Sequence, residues 1–322
     1  MYPLKFVPIL KPTIWGGERI SSFKNIESTV KNVGESWEIS QLKSDISVVS
    51  EGELKGKSLV ELIEIYQDQL LGKHVYQQYG MKFPLLIKLI DANDSLSIQV
   101  HPDDRLASAR HNSMGKTEMW YVVDAEPGAT LYSGFSQQIT RDEYVECVQN
   151  NTITDVLQAH PVKKGDVFFL PAGRVHAIGK GIFIAEIQQN SDITYRIYDY
   201  DRRDKQGHPR ELHTELAKDA INYTLCDDYK MAYEPVPNQE VKLVACNYFV
   251  TSLLKVNKKA CIDVASRDSF ISLMCMSGEA NLIDDKQDRI SIRQGETVLL
   301  PASLSEVQVE GQASFLLSYI PD

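Results

Sequence analysis

One sequence pattern occurs twice in the chain, and this repeat limits the possible architecture more than any other feature. Residues 162–178 read VKKGDVFFLPAGRVHAI, and residues 292–308 read IRQGETVLLPASLSEVQ. Each copy has a glycine, an acidic residue, an apolar run and then Pro-Ala, with Gly165 aligned to Gly295. A repeat at this separation predicts two copies of one β domain.

The two copies differ at the position where chemistry could lie, since His176 of the first aligns with Glu306 of the second. We therefore expect the first domain to carry the chemistry and the second to be structural. A chain of 322 residues is long enough for two domains of roughly 100–200 residues each. The polar, proline-containing segment 234–239 predicts the boundary, which gives a first domain of residues 1–235 and a second of residues 236–322.

Short apolar runs separated by turn residues dominate the rest of the sequence. The runs are rich in β-branched and aromatic residues, which is typical of strands in a sandwich or barrel. Helical periodicity is local, so the sequence predicts a mainly β protein with a few accessory helices. The predicted strands lie at residues 84–91, 95–100, 119–124, 166–171 and 181–188, and the predicted helices at residues 58–71 (with Ser58 as N-cap), 102–111 and 140–149.

The charge balance restricts the partners of such a protein. With 34 basic and 44 acidic residues, the chain has a net charge of −10 and lacks basic runs. Nucleic acid and anionic membranes are therefore excluded as expected partners, and no obligate protein partner is inferred. A bound anion has to be held by a few placed Arg or Lys side chains.

Cysteine usage and the N-terminus predict a cytoplasmic location. The five cysteines are scattered, odd in number and without a CxxC pair, which is typical of reduced thiols in a cytosolic protein. The first 17 residues contain three prolines and do not form the apolar core of a signal peptide. No run approaches the roughly 18 apolar residues of a membrane-spanning helix.

Two short segments carry polar residues where inward-facing strand positions are expected. Because side chains alternate along a strand, Gln99 and His101 share one face, either as the start of a metal site or as polar residues on a solvated face. Glu118 begins an apolar strand, and Lys116 shares its face in an extended chain. A carboxylate facing inward is costly unless it is paired or bound to a cation, although a strand-edge salt bridge remains the alternative.

A third segment is more specific, with the spacing G-x5-P-x-G-x2-H from Gly165 to His176. Glycine and proline set a tight turn between two strands, after which His176 enters the second strand facing inward. His101, Glu118 and His176, with Gln99 as a possible fourth ligand, suit a borderline divalent cation, with Zn²⁺ first and Fe²⁺ or Mn²⁺ next.

A fourth segment, residues 185–202, contains Glu186, Asp192 and Arg196. Arg196 either joins a surface salt bridge or faces the metal cavity, where it would stabilise negative charge in a transition state.

Taken in order, these segments resemble the motifs of the type I mannose-6-phosphate isomerase family in its short, bacterial-type form, and the turn before His176 is similar to the second conserved motif of the cupin superfamily. The resemblance is clear over about residues 1–215, and the last hundred residues resemble only a degenerate cupin. The matching segments are WGGERI at 15–20, GESWEIS at 34–40, SIQVHPDD at 97–104, GKTEMWYV at 115–122, FFLPAGRVHAIGKG at 168–181 and EIQQNSDITYRIYD at 186–199.

The resemblance implies two cupin (jelly-roll β-barrel) domains and one Zn²⁺ per chain, bound in the N-terminal cupin. It implies an isomerase that interconverts mannose 6-phosphate and fructose 6-phosphate through an enediol or enediolate. The chain departs from longer members by lacking room for their inserted helical domain and by reading SMGKTE where they have Asn-His-Lys-Pro-Glu. The implied site comprises the metal ligands Gln99, His101, Glu118 and His176, the catalytic Arg196, and the further active-site residues Lys116, Glu186 and Asp192.

For this reaction, Glu186 is the first candidate for the base, and Lys116 or Asp192 could help to open the sugar ring. Lys88, Arg196 or Arg202 could bind the phosphate, and the sequence does not choose among them.

The alternatives to an isomerase of this specificity are another metal cupin, such as an Fe²⁺ dioxygenase or a different sugar-phosphate isomerase, and a non-catalytic sugar-binding cupin. The Gln ligand and the Arg196 segment argue against the dioxygenase, and the retained ligands of the first copy argue against the sugar-binding module.

Overall fold

Three β-sheets and a short two-stranded ladder form the body of the protein in a computed structural model, which describes residues 1–43, 45–203, 206–226 and 228–322. The prediction of a mainly β protein is confirmed. The six-stranded sheet contains β2 (Ile9–Gly17), β3 (Val33–Ile39), β6 (Leu85–Ala92), β8 (Glu118–Ala125), β11 (Val167–Leu170) and β13 (Ile182–Gln189), and the five-stranded sheet contains β7 (Ile98–Val100), β9 (Thr130–Phe135), β10 (Leu157–Pro161), β12 (His176–Ala177) and β14 (Tyr195–Tyr198).

The third sheet belongs mainly to the C-terminal part of the chain, and its core is apolar. The N-terminal β1 (Leu4–Lys5) joins this sheet by pairing with β19 (Thr297–Leu300), a contact between the two ends of the chain. Its other strands are β15 (Glu240–Ala245), β16 (Val250–Asp263), β17 (Ile271–Ile283), β18 (Arg289–Arg293), β19 (Thr297–Leu300) and β20 (Glu306–Tyr319), while β4 (Gln41–Leu42) and β5 (Asp45–Ile46) form the separate ladder.

The repeat is visible in the backbone. Gly165 and Gly295 both adopt a left-handed conformation, with φ of 90° and 81°, in matching turns before β11 and β19. The aligned side chains differ, since His176 is buried in β12 whereas Glu306 is exposed at the start of β20. The domain boundary at residues 235 and 236 stays a prediction.

The six-stranded and five-stranded sheets face each other, and strand alternation decides which residues line the space between them. Along β8, Trp120 and Val122 pack into the core between the sheets, whereas Met119 and Tyr121 pack on the opposite face. That opposite face is also covered, so every residue of β6 and β13 is buried. At one end of the space the inward positions change from apolar to charged, which defines the site described below.

Seven α-helices within the described residues cover the outer faces of the sheets. The helix predicted at 58–71 starts at its Ser58 cap but ends at Tyr66, because Gln67 takes φ of 45°. The predicted second helix starts at Asp104 because Asp103 is its N-cap, and Thr140 caps the third. The helices are α1 (Arg19–Lys24), α2 (Leu59–Tyr66), α3 (Asp68–Leu71), α4 (Lys73–Tyr79), α5 (Asp104–His111), α6 (Arg141–Gln149) and α7 (Thr214–Ala220), of which α1, α4 and α7 were not predicted.

None of the described helices is long and apolar enough to cross a membrane. Each of the five cysteines is a free thiol.

One apolar core joins the six-stranded sheet, α2, α3 and α4 to the C-terminal sheet. Phe83 and Phe270 meet in this core, with ring centroids 4.6 Å apart. Beside it, the buried Lys24 ammonium pairs with Glu38 at 2.7 Å and donates to the Gly295 carbonyl of the C-terminal sheet. The two halves of the chain are therefore packed together rather than linked loosely.

We expect Phe270→Ala to lower the free energy of unfolding by about 3–5 kcal/mol, because Phe270 is fully buried and its loss leaves a cavity. Denaturant unfolding measures this value. Val7→Ala is the control, since Val7 is 51% exposed and its change should stay within about 0.5 kcal/mol. A loss below about 1 kcal/mol for Phe270→Ala would contradict a core shared by both halves.

Candidate functional site

A cleft of about 350 Å³ opens at the charged end of the space between the two N-terminal sheets. Its volume lies within the range of small-molecule sites. Strands of both sheets contribute to it, so its side chains come from distant parts of the sequence. The lining residues are Trp15, Glu35, Trp37, Leu86, Lys88, Ile90, Leu96, Ser97, Gln99, Lys116, Ile178, Glu186, Gln188, Ser191, Asp192, Thr194, Arg196, Arg210 and His213.

Three predicted metal ligands lie together beneath this cleft. His101, Glu118 and His176 are at most 2% exposed, and each offers a ligand atom within 4.8 Å of the others. His176 Nε2 lies 3.2 Å from Glu118 Oε1, and His101 Nε2 lies 3.5 Å from Glu118 Oε2. No other such group of His, Cys, Asp or Glu occurs in the described part of the chain.

Backbone carbonyls determine the tautomers of both histidines. His101 Nδ1 donates to the Ile193 carbonyl and His176 Nδ1 donates to the Arg174 carbonyl, each at 2.8 Å. When neutral, each ring therefore carries its lone pair on Nε2, the atom that faces Glu118. This is the arrangement in which a protein orients histidine toward a metal.

Gln99 is aligned with the same cluster by strand register. On the five-stranded sheet, Gln99 pairs with His176 on one side and with Arg196 on the other. Its amide Nε2 lies 3.3 Å from His176 Nε2. Rotation of the amide would present its oxygen to the cluster, so Gln99 can supply a fourth ligand.

Burial controls the charge state of the cluster. Burial and the positive charge of Lys116 lower the pKa of His176 to about 3 and hold the pKa of His101 well below its usual value. Burial and the charge of Glu186 raise the pKa of Glu118 to about 7. Both imidazoles are therefore neutral near pH 7, as metal ligation requires.

The cluster fits a divalent cation. Glu118 Oε1 is buried and has no hydrogen-bond partner among the described residues, which is costly for a carboxylate oxygen. Two neutral imidazole nitrogens and this oxygen are the donors that a borderline divalent metal binds.

Two lysines and two glutamates form a charged network beside the cluster. Lys116 Nζ contacts Glu118 and lies 3.0 Å from His101 Nε2 and 3.7 Å from Glu186. Lys88 Nζ pairs with Glu186 at 2.8 Å and with Glu35 at 3.5 Å. Lys88, Lys116 and Glu186 are buried and Glu35 is half-buried, and all four line the cleft.

The Glu186 carboxylate is held from two sides. Trp120 Nε1 donates to one oxygen at 2.5 Å, and Lys88 pairs with the other. Burial by itself would raise the pKa of Glu186, but the charges of Lys88 and Lys116 outweigh it and lower the pKa to about 2. Glu186 is therefore ionised and fixed in position.

Arg196 and Arg210 also line the cleft. We call their end the outer end because the Arg210 side chain is 30% exposed, whereas that of Lys88 is only 9% exposed. Arg196 donates to the Glu211 carbonyl at 3.0 Å, while its buried Nε has no partner among the described residues. Burial and the neighbouring Arg210 lower the pKa of Arg196. Arg210 binds both oxygens of the buried Asp199, at 2.6 and 2.7 Å.

The two remaining predicted residues are placed differently. Asp192 is exposed at the rim and pairs with Lys43 at 2.5 Å. Arg202 pairs with Asp199 and the Ser95 carbonyl and does not line the cleft.

The sequence did not single out Glu35 and Arg210, which line the cleft, or Trp120, which is buried behind it and donates to Glu186. A lone charge within an apolar run could have marked Lys88 and Glu186 as a pair, because β6 and β13 align them directly. No local pattern predicts Arg210, which reaches the cleft from a returning loop.

Comparison with known proteins agrees with this geometry. Residues 4–135 match the family described as phosphomannose isomerase type I, catalytic domain, and residues 239–320 match the mannose-6-phosphate isomerase cupin domain. The chain is 35% identical to mannose-6-phosphate isomerase ManA of Bacillus subtilis, with 99% of each chain covered. It is 32% identical to a mannose-6-phosphate isomerase of Streptococcus mutans over 98% of each chain.

Among solved structures, the fold matches a crystal structure of mannose 6-phosphate isomerase from Bacillus subtilis with a TM-score of 0.90 and 31% identity. This match covers 99% of the present chain and 100% of the other. The resemblance found in the motifs is confirmed across both halves of the protein. The chain belongs to the type I mannose-6-phosphate isomerase family.

Proposed function

We propose that this protein interconverts mannose 6-phosphate and fructose 6-phosphate. The observation that carries the proposal is the placement, in and directly beneath one cleft, of a buried metal-ligand set, an ionised Glu186 and an arginine-lined outer end. An aldose–ketose isomerase needs these three parts: stabilisation of an enediolate, a base, and a binding site for the anionic end of the substrate. Membership of the family supports this assignment.

His101, Glu118, His176 and Gln99 would hold one Zn²⁺ per chain in the N-terminal domain. When bound, this cation supplies Lewis-acid stabilisation of negative charge on substrate oxygen. Trp120 is fully buried and packs edge to face against the His176 ring, with ring centroids 5.2 Å apart.

Glu186 is the proposed base that takes the proton from C2 of mannose 6-phosphate, next to the C1 carbonyl, and returns it to C1 as the carbonyl moves to C2. Its contacts with Lys88 and Trp120 hold the carboxylate in one position, which proton transfer between adjacent carbons requires. Lys116 lies between Glu186 and the ligand set and is placed to donate a proton during ring opening. Asp192, at the rim, is the second residue for that role.

The two ends of the cleft carry different basic residues, lysines at the inner end and arginines at the outer end. The inner lysines are matched by Glu35, Glu118 and Glu186. At the outer end, Arg210 binds Asp199, whereas the buried Arg196 Nε has no hydrogen-bond partner among the described residues. We therefore propose that the phosphate lies at the outer end. Arg196 would bind there or reach inward to developing oxygen charge, since β14 places it beside Gln99.

We also propose a cytoplasmic location, in keeping with the five free thiols.

Removal of the metal tests the proposed function. Chelator-treated protein should lose conversion of mannose 6-phosphate to fructose 6-phosphate and regain it with one equivalent of added Zn²⁺. Circular dichroism before and after treatment controls for unfolding. Folded protein that remains inactive with Zn²⁺, Mn²⁺ and Fe²⁺ would contradict the proposal, and dioxygen uptake or turnover of another sugar phosphate would then identify a different metal cupin.

A further inference from the structure

The Asp104 carboxylate receives hydrogen bonds from three separate parts of the chain. Asp104 is the first residue of α5. Its Oδ1 accepts from the Gly115 backbone N–H at 2.7 Å and from Gln189 Nε2 at 3.0 Å, and its Oδ2 accepts from the Tyr248 hydroxyl at 2.7 Å. The proposed reaction makes no direct use of Asp104 or Tyr248.

These bonds converge on residues 115–117, which we name the approach segment because it leads directly into Glu118. Every backbone N–H of the approach segment has a partner: Gly115 donates to Asp104 Oδ1, Lys116 to the Pro102 carbonyl at 3.1 Å, and Thr117 to Gln189 Oε1 at 2.8 Å. The side chains of Lys116 and Glu118 reach the ligand set from this short stretch. Its position therefore determines where both groups lie.

Close packing leaves the approach segment little room to shift. A Cβ atom on Gly115 would lie 2.6 Å from the Asp104 nitrogen and 2.7 Å from the Asp103 carbonyl carbon. Glycine is therefore required where the segment passes over the start of α5. At the same place, the Asp104 carboxylate accepts the hydrogen bond from the Gly115 backbone N–H.

Tyr248 brings the C-terminal half of the chain into this arrangement. It lies in the turn between β15 and β16, and its ring packs against the core shared by both halves. The C-terminal half carries no ligand set of its own among the residues the structure describes. Its hydroxyl contact with Asp104 nevertheless reaches within one hydrogen bond of the approach segment.

We propose that Asp104 and Tyr248 are positioning residues through which the C-terminal domain holds the approach segment, and with it Lys116 and Glu118, in the geometry that metal binding and turnover require. This inference rests on the proposed function for the role of Lys116 and Glu118. Partners that orient metal ligands from outside the ligand set commonly change metal affinity or activity by about 10- to 100-fold when removed.

The test compares Tyr248→Phe with a matched control, Tyr233→Phe. Each removes one tyrosine hydroxyl that makes a 2.7 Å hydrogen bond, but the Tyr233 hydroxyl donates to the Gly165 carbonyl, away from the approach segment. We expect Tyr248→Phe to lower kcat about tenfold with KM little changed, and to weaken Zn²⁺ binding about tenfold in competition with a chromophoric chelator. Tyr233→Phe should stay within about twofold of the wild type.

Asp104→Asn should have the larger effect, about 100-fold in kcat or in Zn²⁺ affinity, because the amide keeps only one of the two acceptor oxygens and loses the negative charge that strengthens all three hydrogen bonds. Hydrogen exchange gives an independent measurement, since the Gly115 and Thr117 amides should exchange faster in both variants even without metal.

Unchanged kcat, Zn²⁺ affinity and exchange rates in folded Tyr248→Phe would overturn the inference. If Asp104→Asn does not fold, Tyr248→Phe decides alone. A wild-type protein that binds Zn²⁺ without converting mannose 6-phosphate would refute the proposed function, and the Zn²⁺ affinities and exchange rates of the variants would still decide the role of Asp104 and Tyr248.

Discussion

Replacing His176 by alanine is expected to remove stoichiometric zinc and to lower kcat at least about a thousandfold in a protein that stays folded. His176 Nε2 lies 3.2 Å from Glu118 Oε1, the carboxylate oxygen without a hydrogen-bond partner among the described residues. The hydrogen bond from His176 Nδ1 to the Arg174 carbonyl orients Nε2 toward that oxygen. A bound metal supplies several kcal/mol of charge stabilisation, and each 1.36 kcal/mol corresponds to about tenfold in rate.

Metal content by atomic emission and steady-state turnover together measure this effect. His160→Ala is the matched control, because His160 is a half-buried histidine of the same domain that contacts the Ser133 carbonyl instead of the ligand set. It should keep both zinc and activity. A His176→Ala protein that still holds one zinc per chain would show that the proposed ligand set is wrong.

Replacing Arg196 by alanine should have the opposite combination of effects, with zinc retained and kcat lowered by about 10²–10³-fold. Arg196 is aligned with Gln99 across the sheet but offers no metal-binding atom, so its loss should leave the ligand set intact. Loss of one group that stabilises transition-state charge commonly has this magnitude. Arg196→Lys should not restore full turnover, because an ammonium cannot reproduce the planar guanidinium fork.

Arg203→Ala provides the control on the same stretch of chain, since Arg203 is exposed and pairs with Asp201 outside the cleft. Inhibition by inorganic phosphate separates two roles for Arg196. A weakened phosphate affinity with a raised KM would place Arg196 at the phosphate, whereas a fall in kcat alone would place it at the reacting carbons. Near wild-type kcat and KM would remove Arg196 from the mechanism.

Much of the fold follows from local pattern because strand alternation is a local property. The runs that became β6, β8, β11 and β13 were predicted to within a few residues, since an apolar run bounded by turn residues has few other ways to bury its side chains. The helix predicted through residue 71 was too long. Gln67 breaks it with a positive φ, a conformation that helical periodicity does not reveal.

The sequence by itself determined the family, the mainly β architecture and the identity of the residues that meet beneath the cleft. It did so because Gln99, His101, Glu118 and His176 occur in motifs whose spacing and turn residues orient each side chain locally. Lys116 and Glu118 illustrate this. They are two positions apart on an extended segment, where side chains alternate, so both point to the same side and pair with each other.

Only the tertiary structure decided which distant groups support those residues. Arg210 reaches the cleft by pairing with Asp199, and Tyr248 reaches Asp104 across 144 residues of sequence. β1 likewise joins the C-terminal sheet at β19. Such contacts depend on strand order and on the packing of the two halves, and these are set by the burial of the whole core rather than by any pattern within a single segment.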